Sequence, residues 1–429
     1  MKLNRSTLVM PKRPVRIVHI GLGAFHRAHQ VWFTHKVDKN NEWGIASFTG
    51  RNPHAAIELE EQEGLFTLIT RSAEEDSFAV IDSIAEAIDG NDIESFNFYI
   101  SNPNVVIVTI TITEAGYSQV QGSAMSRLAL ALDERRKKNG KGIAIISCDN
   151  LPQNAKVVRS HLSHFFNEMG SESATWFAEN VSIVSTSIDR ITPRTNESDI
   201  NAVKCATGFE DSLPVVTEPF TSWILEGDFP EGRPAWEKAG AKFVLDITPY
   251  ENRKLWLLNG AHSLLAYAGI AHGHKSVDQA INDPVLLIEL HNFWDEASAF
   301  LTEPGLEVES YKKALLERFE NPRIAYSLEQ IATDGSLKLA ARIAPIALAE
   351  LKLDRMPRAS IKVFAHWINF LQSQESFRDA QEDLILLALK TDDPEQNLIK
   401  IVDAQLAHDS RFMSALLKEL SLTQMATKG

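Results

Sequence analysis

Short, unbroken apolar runs alternate with longer stretches of helical periodicity through the first 190 residues. Val15-Arg16-Ile17-Val18-His19-Ile20 is short, apolar and β-branched, which predicts a buried strand. Gly21-Leu22-Gly23-Ala24-Phe25-His26 follows at once, and helical periodicity then runs through Lys36. The same signal predicts strands at residues 44–48, 105–110, 143–148 and 181–186. Residues 65–69 and 78–81 predict a hairpin pair. Residues 123–138 predict a helix that ends on Arg135-Arg136-Lys137-Lys138 and stops at Asn139-Gly140. A further helix is predicted from about Ala155. Strands that alternate with helices imply a parallel sheet covered on both faces.

Beyond about residue 250 the strand signals vanish. Amphipathic helical stretches take over at 254–271, 284–301, 311–319, 334–353, 360–372 and 380–390. The expected architecture is therefore α/β: a domain with a doubly wound, Rossmann-type sheet over residues 1–245, then a mostly α-helical domain over residues 246–429.

Composition narrows the function. The length of 429 residues fits two or three domains. A net charge of −14 disfavours nucleic acid and anionic membranes as partners. Only Cys148 and Cys205 are present, which predicts a reducing compartment without a disulfide framework, and with no CxxC or cysteine–histidine cluster no structural zinc is expected. Met1-Lys2-Leu3-Asn4-Arg5 has no apolar core of signal-peptide length, and the run at 105–112 is too short to span a bilayer. The expectation is a cytoplasmic enzyme, a monomer or small homo-oligomer, acting on a small molecule.

Two stretches carry chemistry. Gly21-x-Gly23 sits where a strand turns into a helix, a place that lets backbone approach a pyrophosphate. His26 stands where a third glycine would complete the fingerprint. Arg27 is a candidate phosphate contact. No carboxylate closes the second strand, which reads Ser47-Phe48-Thr49-Gly50-Arg51; Thr49 and Arg51 are instead compatible with a 2′-phosphate, so NAD and NADP both stay open. The second stretch places Lys254, Asn259 and His262 in an apolar, helix-forming run. At about 100° per residue Asn259 falls ~140° and His262 ~80° from Lys254, on one broad face. A lysine among Leu255, Leu257 and Leu258 loses its proton more easily, and a neutral amine is a useful general base. An asparagine holds an alcohol oxygen without titrating. Tyr250-x-x-x-Lys254 also matches the tyrosine–lysine spacing of short-chain dehydrogenases. His26-x-x-His29 and His272-Gly273-His274 have spacings a metal could use, but no carboxylate partner is evident, so no metal is expected.

These motifs, with Ser147-Cys148-Asp149-Asn150-Leu151, Asp189-Arg190-Ile191-Thr192-Pro193, Gly232-Arg233-Pro234-Ala235-Trp236-Glu237 and Asp334-Gly335-Ser336-x-Lys338, resemble the long-chain polyol and sugar-acid dehydrogenases. That is the group of mannitol 2-dehydrogenase, fructuronate reductase and D-arabinitol dehydrogenase. The resemblance runs from about Ile17 to Pro345. It implies a metal-independent enzyme that uses NAD or NADP on a polyol or sugar acid, with Gly21, Gly23, Ala24, Phe25, Arg27 and Arg51 around the cofactor. It further implies Lys254 as general acid/base, Asn150 and Asn259 on the reacting oxygen, His262 and Lys338 on the substrate, and Glu251 as a proton relay. The sequence departs from the family at Gln330, where arginine is common, and at Ala115, where lysine is common. A nucleotide-binding sensor without catalysis is the other class that these departures allow.

Overall fold

The computed structural model describes residues 1–112, 116–324 and 326–426. The chain forms two compact units, Met1–Ile247 and Thr248–Gly429.

The first unit carries strands β1 (Val15–Ile20), β2 (Gly44–Phe48), β3 (Phe66–Arg71), β4 (Asp76–Ile81), β5 (Ile84–Ile88), β6 (Ile107–Ile110), β7 (Ile143–Ser147), β8 (Val181–Asp189), β9 (Val215–Thr217), β10 (Ser222–Glu226) and β11 (Lys242–Phe243). Eight of them make one sheet in the order β11-β10-β8-β7-β6-β1-β2-β5. Every pairing in it is parallel except β10 with β8. Both faces are covered. Ile17, Ile45, Ile107 and Ile146 pack into one core, while Val18, Ala46, Val108 and Ile145 pack into another with Phe96, Leu128 and Leu162 from the helices Ile93–Ser101, Ala124–Lys138 and Asn154–Met169. Burial on both sides is why these strands read as continuous apolar runs rather than alternating ones. The expected hairpin is present as the antiparallel pair β3–β4, but it belongs to a separate sheet in the order β4-β3-β9.

The basic helix end at 135–138 is not uniformly solvated. Arg135 is fully buried, and its guanidinium donates to the carbonyls of Ile100, Asn102, Lys141 and Gly142. Five donors in a planar fork suit a chain reversal that brings four carbonyls to one point.

The second unit is helical. Ala261–Ala271 is buried nearly all round, and it packs against Pro284–Ser298, Leu328–Ala332 and Arg358–Ser373. The expected single helix at 334–353 is two helices, Gly335–Arg342 and Ala344–Lys352. Pro345 explains the break: it has no N–H for an interior hydrogen bond and fits only a first turn. Among the described residues no helix is long and apolar enough to cross a membrane.

Candidate active site

The order of the sheet reverses beside β1: β2 and β5 lie on one side, β6, β7 and β8 on the other. In an open parallel sheet ligands bind outside the carboxyl ends of the strands at such a point. The glycine turn is there. Gly21 has φ +111°, and a Cβ on it would fall 1.8 Å from the Thr111 carbonyl oxygen, so the fold itself requires a glycine. Gly23 is different. Its backbone is extended, and a Cβ there would meet only the Gly21 oxygen at 3.6 Å. No packing demands a glycine at 23, and the space a side chain would fill opens over the start of a helix whose cap residue supplies no side-chain acceptor. That combination fits a pyrophosphate. Gly23→Ala should leave the thermal midpoint within a degree or two and weaken dinucleotide binding about tenfold, the ~1.4 kcal/mol of one displaced contact; titration calorimetry checks it.

Ala24 and Phe25 are half-buried at that helix start, and Phe25 stacks on His29 at 5.2 Å. Arg27 does not face outward. It is buried, donates to the carbonyls of Gly23 and Leu213, and lies over the Phe66 ring. Its guanidinium is committed to protein, so it positions the helix rather than reaching a phosphate. Thr49 is also turned inward, its hydroxyl accepting from the Gly90 N–H at 2.8 Å. Arg51 is exposed just beyond β2. Thr113, Glu114 and Ala115, including the position where lysine is common, lie outside the described residues.

A bed of histidines underlies the turn. Here the helix widens, with Ala24–His26 and Trp32–Val37 flanking a π-helical segment at Arg27–Val31. His19 and His26 stack with centroids 3.2 Å apart and planes 3° from parallel. His26 meets Gln30 at 3.1 Å and the Ser47 hydroxyl at 3.0 Å; His29 meets the Ser222 carbonyl at 3.1 Å and Gln30 at 3.1 Å. All four ring nitrogens of the His26-x-x-His29 pair are engaged, which removes it as a metal site. The Thr111 hydroxyl donates to the Gly21 carbonyl, so it accepts from His19 Nε2, and Nδ1 of His19 accepts from Thr109. Burial holds His19 neutral, pushed down to about 3, and keeps His26 well below its usual value.

Asn150 is exposed in the bend after β7. Asp149 beside it accepts from the Tyr117 hydroxyl at 2.5 Å, and burial pushes its carboxyl up to about 6.

In the second unit one continuous helical run holds Thr248–Arg253, a π-helical segment at Lys254–Gly260, and Ala261–Ala271. This corrects the angular expectation. A turn closed by i→i+5 hydrogen bonds advances fewer degrees per residue than an α-helical one, so Asn259 falls nearer the Lys254 face than the ~140° expected of an α-helix. Two features accommodate the wide turn. A Cβ on Gly260 would meet the Phe293 ring at 2.7 Å. Carbonyls in the segment take side-chain donors: Trp294 Nε1 to Leu257 O at 2.8 Å, and Arg342 to Asn259 O at 3.0 Å. Lys254, Asn259 and His262 are all half-buried. The Asn259 side-chain oxygen is buried and has no hydrogen-bond partner in the protein. A buried amide oxygen left this way costs about 1–3 kcal/mol, which a ligand hydroxyl would recover. His262 packs on Phe319 at 5.1 Å and Tyr326 at 5.9 Å.

Lys338 Nζ donates to Ile331 O at 2.9 Å, and burial followed by repulsion from Arg342 lowers its pKa. Gln330 is exposed. Glu251 is half-buried near the start of the run. Tyr250 directs its hydroxyl to Gly305 O at 3.4 Å. Arg342 escaped the sequence reading, although its place four residues after Lys338 puts it on the same helix face. Arg342→Met should lower kcat/KM about 10- to 100-fold by loosening Asn259, with dinucleotide affinity unchanged in the same preparation.

Comparison with known proteins places both units in one family. The family description "Mannitol dehydrogenase Rossmann domain" matches residues 15–238, and "Mannitol dehydrogenase C-terminal domain" matches residues 246–427. D-mannonate oxidoreductase of Escherichia coli (strain K12) is 33% identical over 361 residues, covering 76% of this chain and 74% of its own. D-arabinitol 4-dehydrogenase of Ralstonia nicotianae is 33% identical over 399 residues, covering 86% and 85%. The solved ternary complex of Pseudomonas fluorescens mannitol 2-dehydrogenase with NAD and D-mannitol superposes with a TM-score of 0.81 at 29% identity, covering 100% of this chain and 98% of that one.

Proposed function

Because the chain belongs to the mannitol dehydrogenase family, we propose that it is an NAD(P)-dependent oxidoreductase acting on the secondary alcohol or ketone of a polyol or sugar acid. The observation that carries the reading is that one π-helical segment holds half-buried Lys254 and, five residues on, Asn259, whose buried side-chain oxygen has no protein partner. The short-chain alternative lacks support, since neither family description is of that type and the Tyr250 hydroxyl is given to Gly305. The sensor alternative lacks support as well, because the named relatives are enzymes.

Residues 1–245 are assigned the dinucleotide, with Gly21, Gly23, Ala24 and Phe25 around it and Arg51 as an outward-facing phosphate contact. Residues 246–429 are assigned the substrate. When bound, the nicotinamide ring accepts or supplies the hydride. In oxidation a neutral Lys254 takes the hydroxyl proton as negative charge grows on oxygen; in reduction its ammonium returns that proton. The Asn259 side-chain N–H donates to the same oxygen while its Oδ1 accepts from a neighbouring substrate hydroxyl, and Asn150 is the second amide proposed for the reacting oxygen. His262 and Lys338 orient the remaining hydroxyls, and Glu251 passes the proton between Lys254 and solvent. None of these roles needs a metal. A D-mannonate or D-fructuronate substrate is supported by the mannonate oxidoreductase relative, while the loss of a guanidinium at Gln330 favours a neutral polyol. A cytoplasmic location, as a monomer or small homo-oligomer, accords with two free thiols, Cys148 and Cys205.

The test is nicotinamide absorbance at both cofactors against mannonate, fructuronate, mannitol and arabinitol. Turnover of at least one pair is expected, and tight cofactor binding with turnover of none would overturn the proposal.

A further inference from the structure

The helix Ala261–Ala271, which follows directly on Asn259, ends in a chain reversal. His272 is its cap, Gly273 takes φ +83°, and the N–H groups of His272, Gly273 and His274 return to Ala268, Ile270 and Gly269 at 3.0, 3.0 and 2.9 Å. The left-handed glycine turns His272 and His274 toward the same neighbour. That neighbour is Asp283, the cap of the helix Pro284–Ser298, whose Oδ1 accepts from the Val285 N–H at 2.9 Å. Its other oxygen, Oδ2, lies 2.9 Å from His272 Nδ1 and 3.1 Å from His274 Nε2. One ligand-type atom from each of the three residues lies within 4.8 Å of the others. The carboxylate that seemed absent from the sequence is thus present, nine residues beyond the second histidine.

We propose that His272, His274 and Asp283 form a binding site for zinc, separate from the catalytic residues, that fastens the end of one helix to the start of another. Zinc bonds of about 2.0–2.1 Å to nitrogen and 2.0–2.2 Å to oxygen set tetrahedral neighbours about 3.3 Å apart. The two N···O separations need only open by a few tenths of an ångström. The donor set of two imidazoles and one carboxylate suits zinc and its transition-metal neighbours, not magnesium or calcium, which take oxygen. The three side chains are 35%, 27% and 16% exposed, which gives an ion a route in and leaves a fourth position for water. The free end of the helix dipole at His272 favours a cation as well.

The experiment uses the full chain without a histidine tag, stripped with chelator and titrated calorimetrically with zinc chloride. One zinc per chain is expected, with binding lost in His272→Gln/His274→Gln. At zinc one hundred times its Kd, the unfolding constant of the wild-type chain should fall about 100-fold, and that of the variant should not change. Imidazole NMR on the wild type gives a second readout that needs no variant: zinc should move two of the 13 histidine signals, those of His272 and His274. Absence of binding at 100-fold molar excess would overturn the proposal, as would undiminished binding by the variant or movement of other histidine signals instead. Turnover is expected to be unaffected by stripping, so the result is independent of whether the proposed activity is found.

Discussion

Lys254→Ala should lower kcat at least 100-fold, the low end of what a positioned general acid or base contributes. The dinucleotide dissociation constant should change less than twofold, because the role proposed for Lys254 is on the substrate hydroxyl and not on the cofactor. Alanine is compatible with the helical run, and the buried Leu257 and Leu258 should keep their packing. The loss must therefore be chemical rather than structural, and three readouts separate the two. The pH–rate profile of oxidation should lose the limb set by deprotonation of the amine. Small primary amines added to Lys254→Ala should restore part of the turnover. Lys254→Arg should keep a positive charge but fail in oxidation, because a guanidinium does not release its proton in proteins. Single-turnover hydride transfer followed by absorbance measures all three. Unaltered kcat in Lys254→Ala would remove Lys254 from the chemistry and with it the proposed mechanism.

What could be read from the residues follows from how local each signal is. Strands β1, β6 and β7 were legible because their inner residues are buried on both faces, so apolar side chains crowd together, as in Ile143-Ala144-Ile145-Ile146. The glycine turn was legible because a positive φ against the Thr111 carbonyl admits nothing but glycine. Strands β5, β9, β10 and β11 were not, because they are short and mix polar residues into the run, as in Ile84-Ala85-Glu86-Ala87-Ile88. The two π-helical segments were invisible to a search at 100° per residue, so the smaller angle between Lys254 and Asn259 could not be foreseen, although both residues were identified. Arg27 looked like a phosphate contact since sequence does not say which way a side chain near a turn points; the Leu213 carbonyl settled that from 186 residues away. Asp283 was missed for the same reason, as its relation to His272 depends on two helix ends meeting in space.

The histidine bed also predicts acid lability. Free histidines take up a proton near pH 6.5, whereas burial holds His19 to about 3 and His26 well below 6.5, the neighbouring His19 ring adding to the effect on His26. Below pH 6.5 the unfolded chain therefore binds protons that the folded chain refuses. Stability is present above that pH and is lost as pH falls toward 3. Two unmatched protons give a slope of about 2.7 kcal/mol per pH unit. Asp149 opposes this. Its folded pKa is raised to about 6, so between pH 6 and the usual carboxylate value the folded state binds one proton more, which offsets about 1.4 kcal/mol per unit of that slope; burial raises Glu296 as well, and it acts in the same sense. Asp82, lowered to about 2, acts only below the usual carboxylate range and does not enter that window. Two experiments follow from the signs. His26→Gln should flatten the acid side of the stability profile, since its amide does not titrate. Asp149→Asn should steepen it toward the full two-proton slope between pH 6 and 4. Urea unfolding at half-unit pH steps, read by the fluorescence of the buried Trp223 and Trp236 in the first unit, measures both. A wild-type profile flat from pH 7 to 4.5 would mean that the histidines under the glycine turn accept protons in the folded state, and that the stacked, neutral pair does not hold the turn in place.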